Sequence, residues 1–278
     1  MKTLLPILTL CAFALRADAQ TIATFNFSKV GSIELELFDD KPITVSNFIK
    51  YVTSGRYENQ LIHRWVPNFV IQGGGYRVDT STTQTQIVRV PIFGTITNEA
   101  RVGTFRSNTY GTIAMARLGG QTNSATSQWF INLTNNDGPA PSLDTVDNGF
   151  TVFGKLISGT NVLNKFVPPP PVNGIYIDET ILGSPMATLT NTANLTYDTL
   201  VYVDVSLRRD MNLQITRTFR GIRQLSWDSV MGVTNSVDVS SNLTSWVTFT
   251  NVIGTGQRMY LNEPSEDPHR FYRVRLLY

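Results

Sequence analysis

The chain is 278 residues long, with 41% apolar and 16% charged residues, a globular composition that excludes extended disorder and is sized for about two domains. Lys and Arg number 23 against 21 Asp and Glu, a near balance that leaves no electrostatic footprint for nucleic acid or an acidic membrane surface. The single cysteine is Cys11, so everything beyond the first segment lacks thiols, disulfides and thiolate metal ligands.

Residues 1–19 read as a secretion leader. Lys2 supplies a positive start, Leu4 to Leu15 is mostly apolar, and Ala17-Asp18-Ala19 has the small-x-small form of a signal-peptidase site. Cleavage is expected after Ala19, giving a secreted or periplasmic protein with 21 basic and 20 acidic residues. No stable membrane insertion is expected after cleavage, because the apolar stretch is shorter than the roughly 20 residues that cross a bilayer.

Thr21 to Phe27 and Ser32 to Phe38 predict an antiparallel hairpin turning at Ser28-Lys29-Val30-Gly31. In its second arm Ile33, Leu35 and Leu37 alternate with Ser32, Glu34 and Glu36, the mark of one buried face. Asp39 or Asp40 then offers a helix cap, Pro42 suits a first turn, and Val45, Phe48, Ile49 and Val52 recur at helical spacing as far as Gly55. Strands are predicted at Leu61 to Val66, Phe69 to Gln72, Thr112 to Arg117, Gln128 to Leu133 and Thr151 to Leu156, and a short helix at Thr160 to Phe166. Pro168 to Pro171 end that helix and open a Thr- and Asn-rich connection to about Asp198, expected as a stiff surface loop. Leu200 to Leu207 is a further strand. Beyond about residue 210 the character changes. Leu225 to Trp227, Val237 to Val239, Trp246 to Phe249 and Phe271 to Leu277 predict a small β-sandwich at 212–278, separate from a first domain at 20–208.

The chemistry-bearing segments lie in the first domain. Ile62-His63-Arg64-Trp65-Val66-Pro67-Asn68-Phe69-Val70-Ile71-Gln72-Gly73-Gly74 is followed by Gly111-Thr112-Ile113-Ala114-Met115-Ala116-Arg117, by Asn123 to Asn132 and by Val152-Phe153-Gly154-Lys155. In order and spacing this set resembles the cyclophilins, whose signature carries a His-Arg pair, then Pro-x-Phe and Gln-Gly-Gly. The resemblance implies a mainly β fold, a closed eight-stranded barrel capped by two helices with its groove on the outer face, ahead of the small C-terminal sandwich. It implies cis/trans isomerisation of Xaa-Pro bonds with no cofactor and no metal. The expected partners are proline-containing peptides or unfolded exported proteins.

Residue by residue, Arg64 matches the family's catalytic arginine and Gln72 the side chain that steadies it. Phe69, with Val70, Phe130 and Leu143, matches the apolar recess for the proline ring. Gln128 and the Ala116-Arg117 backbone match positions that hold the peptide on either side of the proline, and Phe150 falls near a position often filled by His or Tyr. Val70 stands where many relatives carry Met. Arg117 stands where Asn is commoner, which points to acidic neighbours in the substrate. Ser142 replaces the Trp that animal relatives use in cyclosporin binding. His63 is read as packing at the barrel wall, and the glycines after Gln72 as a tight turn beside the site, since no Lys-Ser/Thr follows them to make a phosphate loop. The C-terminal segment is read as a spacer, surface-attachment or protein-contact module. The rival reading of the whole chain is a catalytically weak, cyclophilin-shaped binding module or a surface adhesion protein.

Overall fold

The computed structural model describes residues 21–79, 86–139, 141–172, 174–178, 182–183, 185–189, 196–209, 211–218, 222–230, 232–264 and 270–277. The expected leader, its Cys11 and the cleavage point after Ala19 lie outside the described residues.

Strands β1 (Thr21–Phe27) and β2 (Gly31–Leu37) form the expected hairpin. Their alternation drives Ala23, Phe25, Phe27, Ile33, Leu35 and Leu37 into the core. Helix α1 (Pro42–Thr53) buries Val45, Phe48, Ile49 and Tyr51 and carries Pro42 in its first turn. Its expected caps are corrected. The N-cap is Lys41, without a side-chain cap. The orphan amides of Ile43 and Thr44 instead donate to the carboxylate of the distant, buried Glu99, at 3.2 and 2.7 Å. Asp39 and Asp40 are taken up by Arg209 and Arg106.

Eleven further strands and a short helix complete the first part of the chain among the described residues. They are β3 (Gln60–Leu61), β4 (Arg64–Val66), β5 (Val70–Gly73), β6 (Tyr76–Asp79), β7 (Gln86–Arg89), β8 (Thr112–Met115), β9 (Trp129–Asn132), β10 (Val152–Ser158), α2 (Thr160–Leu163), the hairpin β11 (Tyr176–Asp178) and β12 (Met186–Thr188), and β13 (Tyr202–Arg209). The main sheet runs β4-β5-β9-β8-β10-β2-β1-β13-β3-β6-β7. The expected closed eight-stranded barrel is thus found as an open, curled ladder of eleven strands, with β4 at one end and β7 at the other. The count rises because the run 60–66 divides into β3 and β4 at Ile62-His63 and because the hairpin β6-β7, unread in the sequence, adds to the edge. Phe25 meets Trp129 edge-on at 5.0 Å, and Phe48 meets Phe153 at 5.3 Å, between the sheet and α1.

The connection after Pro171 is a second correction. Far from being all surface loop, it buries Ile175, Met186 and Ala187. Trp65 donates its backbone amide to Pro185 O, and Ala187 donates to Ile62 O, so this segment satisfies backbone groups that the β3-β4 break leaves without ladder partners. In the C-terminal part β14 (Gln214–Arg217), β15 (Arg223–Asp228), β16 (Thr234–Ser240), β17 (Val247–Ile253), β18 (Arg258–Glu263) and β19 (Phe271–Leu277) form two three-stranded sheets, β14-β15-β18 and β17-β16-β19. Both sheets contribute to one apolar cluster built on Met211, Leu225, Trp227 and Val237. Strands β14 and β18 were not foreseen, because β14 is mostly polar and the apolar residues of β18 fall together at Met259-Tyr260-Leu261 without alternation. Among the described residues no helix is long and apolar enough to cross a membrane.

Candidate active site

The site follows from strand alternation. Residues directly opposite each other on neighbouring strands point to the same face. The ladder pairs Arg64 with Gln72, Gln72 with Phe130, Phe130 with Ala114, and Ala114 with Val152. These five residues form one row across five strands. The adjacent row, Trp65, Ile71, Ile131 and Ile113, is wholly buried in the main core, so the row beginning at Arg64 faces outward. Two strand spacings, about 10 Å, separate Arg64 from Phe130 across the sheet.

The turn between β4 and β5 brings in Phe69. Phe69 N donates to Val66 O at 3.1 Å, and Asn68 is left-handed at φ +54°. Pro67 and Asn68 are the residues a type II turn asks for at its two centre positions. The ring of Phe69 ends 5.8 Å from the Arg64 guanidinium. At the other end of β5 the glycines permit close approach to β9: a Cβ on Gly74, at φ +78°, would lie 2.3 Å from Ser127 O.

The expected recess residues gather in one apolar cluster separate from the core. Val70 and Phe130 are joined there by Phe69, Ala116, Leu143 and Phe150, and by Phe38 and Val152, which the sequence reading did not assign to it. Val152 stood in a quoted block, but Phe38 carried no local signal, since it is brought there only by sheet order. Phe130 and Phe150 meet edge-on at 5.6 Å. Leu143 and Phe150 are tied to each other, with Phe150 N donating to Leu143 O at 2.9 Å, and Asn108 holds their loop by two 2.8 Å bonds to the buried Asp144 carboxylate.

Three guanidiniums stand over aromatic rings of this cluster: Arg64 over Phe69, Arg106 over Phe38 at 3.9 Å and Arg117 over Phe150 at 4.2 Å. Arg106 and Arg117 are paired with Asp40 and Asp147. Among the described residues no carboxylate pairs with Arg64. Gln72 shares its row with Arg64, yet its amide nitrogen donates to Gln128 Oε1 at 2.7 Å. Gln128 Oε1 also lies 3.2 Å from His63 Nε2, which makes that nitrogen the donor. Burial pushes the His63 imidazole down to about 4, so the ring is neutral at pH 7. Ala116 N donates to Gln128 O at 2.9 Å, which fixes β8 against the Gln128 segment.

Arg117 departs from expectation. Its side chain is only 2% exposed and its Nη2 donates to the carbonyls of Val146, Asp147 and Gly149. A guanidinium so occupied is not presented to acidic substrate residues. Among the described residues no group of three His, Cys, Asp or Glu side chains gathers in metal-binding fashion.

The outer face of this curled β-sheet thus sets Arg64, which no carboxylate among the described residues pairs with, beside an apolar cluster, the arrangement of a β-protein with its candidate site on the sheet surface. The chain belongs to the family described as cyclophilin type peptidyl-prolyl cis-trans isomerase, whose model matches residues 22–173. It is 40% identical over 144 residues to a peptidyl-prolyl cis-trans isomerase of Acinetobacter baylyi, covering 51% of this chain and 70% of that protein. It is 39% identical over 157 residues to peptidyl-prolyl cis-trans isomerase A of Dickeya dadantii, covering 55% and 74%. A cyclophilin-type isomerase of Cryptosporidium parvum, solved in the presence of the dipeptide Ala-Pro, is 22% identical and covers 68% of this chain and 99% of that one, with a TM-score of 0.46.

Proposed function

We propose that the chain isomerises Xaa-Pro bonds and that Arg64 is the group that stabilises the twisted amide. Membership of the isomerase family gives the reaction class, and the outward row of Arg64, Gln72 and Phe130 supports this site for it. Rotation about an Xaa-Pro bond is slow because it breaks the conjugation of the nitrogen lone pair with the carbonyl. In the planar amide that nitrogen is a poor acceptor. Once the amide twists the lone pair is released, and a fixed guanidinium then binds the transition state more tightly than the substrate.

The Phe130 side of the row seats the ring while Arg64 addresses the amide, so the preceding carbonyl is left to turn. Gln128, its oxygen occupied by Gln72 and its amide nitrogen unclaimed among the described residues, offers a donor to the bound backbone. The observation that carries this reading is that, among the described residues, no carboxylate pairs with Arg64, whereas both neighbouring recess arginines have one. The test is a proline-isomerisation assay on a peptide substrate. Arg64→Ala is expected to lower kcat/KM roughly a hundredfold with an unchanged circular dichroism spectrum and melting temperature. Equal rates in the two proteins would remove the mechanism.

The same reading takes the clients to be proline-containing segments of exported, unfolded proteins and the site of action to lie outside the cytoplasm. The leader-like residues 1–19 and the lack of cysteine after Cys11 support it. Mass spectrometry of the protein from the extracytoplasmic fraction is expected to find a chain beginning at Gln20. A chain retaining Met1 in the cytoplasm would refute export.

A further inference from the structure

We infer that Arg117 is a positioning residue for the proline recess. It acts through Phe150 and not on the peptide, and it governs how tightly the ring is held and not how fast the bond turns. The inference rests on the recess reading given above.

Arg117 follows β8 and its guanidinium crosses to the turn that precedes Phe150. That turn is costly to hold. Asp147, Asn148 and Gly149 are successively left-handed at φ +48°, +70° and +81°, and two of the three carry a Cβ, which disfavours this conformation. At Gly149 a Cβ would lie 2.6 Å from Asp144 O. Three consecutive residues of this kind need outside support, and the segment 117–122 provides it. Arg117 Nη2 donates to the carbonyls of Val146, Asp147 and Gly149 at 2.8, 3.1 and 3.3 Å, and Nη1 to the Asp147 carboxylate at 3.3 Å. Gly120 N adds a 2.8 Å bond to the same carboxylate, and Thr122 Oγ1 one of 3.3 Å to Asp147 O.

A planar guanidinium is suited to this double task, because its edge carries several donors while its face remains free to stack. The face lies over Phe150 at 4.2 Å, and Phe150 meets Phe130 edge-on. The wall that receives the proline ring is therefore held from behind by a cation that the ring never touches. A loosened wall weakens ground-state and transition-state binding of the ring alike, and uniform binding of that kind appears in KM and not in kcat.

The experiment is steady-state isomerisation kinetics on Arg117→Ala, Phe150→Ala, the double variant and Phe130→Ala, with melting temperatures for each. Arg117→Ala is expected to raise KM roughly tenfold with kcat within about twofold of the parent. In the Phe150→Ala background the same substitution is expected to change KM by less than about twofold, because its route to the ring has been removed. An unchanged KM in Arg117→Ala, a fall in kcat at constant KM, or an undiminished effect in the Phe150→Ala background would each overturn the inference. Phe130→Ala separates this from the recess reading: a normal KM there refutes the recess itself, whereas a raised KM there with a normal one in Arg117→Ala refutes only the role of Arg117. If Arg117→Ala does not fold, Arg117→Lys replaces it. Lysine keeps the charge without the fork and is expected to raise KM, and a parental KM in that variant overturns the inference.

Discussion

At the residue scale the site depends on geometry as much as on charge. Lysine at position 64 would keep the positive charge but not the planar fork over Phe69. Arg64→Lys is therefore expected to bind proline peptides with near-parental KM and to lose about tenfold or more in kcat, the equivalent of one well-placed hydrogen bond of about 1.4 kcal/mol. A parental kcat would show that charge alone suffices. The neighbouring His63 behaves differently. It is buried, and its imidazole is held at about 4 against about 6.5 in an unfolded chain. Between those values the unfolded chain binds the extra proton, so stability rises with pH across the window, is complete above about 6.5 and is lost as the pH falls toward about 4. The contribution is on the order of 3 kcal/mol. Urea unfolding at pH 7 and pH 4.5 is expected to show a larger loss of stability for the parent than for His63→Gln. Equal losses would place the acid sensitivity elsewhere.

At the scale of elements, local pattern was a good guide to strands that bury one face and a poor guide to how their ends are satisfied. β1, β2, α1 and β13 were legible because an apolar period of two or of 3.6 marks them. The start of α1 was misread because its acceptor, Glu99, lies more than fifty residues away in sequence. Lys41 adds to the same knot, donating to the backbone oxygens of Glu99 and Val102, and burial pushes its ammonium pKa down. Glu99→Ala is expected to cost about 2 kcal/mol, because two helix amides lose their acceptor inside the protein. Chemical denaturation measures this, and a loss below about 0.5 kcal/mol would mean that water replaces the carboxylate.

At the scale of the whole molecule, we propose a boundary near residue 210. The apolar clusters on the N-terminal side end with Leu207, and the C-terminal cluster begins with Met211 and draws on no residue before it. No described recess residue lies beyond Phe150 and Val152. A chain ending at residue 210 is accordingly expected to keep kcat/KM within about twofold of the full-length protein. A loss of more than about tenfold would assign the C-terminal sheets a part in forming the site.

The sequence by itself determined the family, the strands that bury one face and the residues proposed for the site, because alternation and the His-Arg, Pro-x-Phe and Gln-Gly-Gly spacing are local properties written within a few residues of each other. Only the tertiary structure decided which arginine is available. The His-Arg motif marks Arg64, but that no carboxylate among the described residues pairs with it, while Asp40 and Asp147 pair with Arg106 and Arg117, follows from the fold alone. That pairing spans 66 residues in one case and 30 in the other, a separation over which local pattern carries no information.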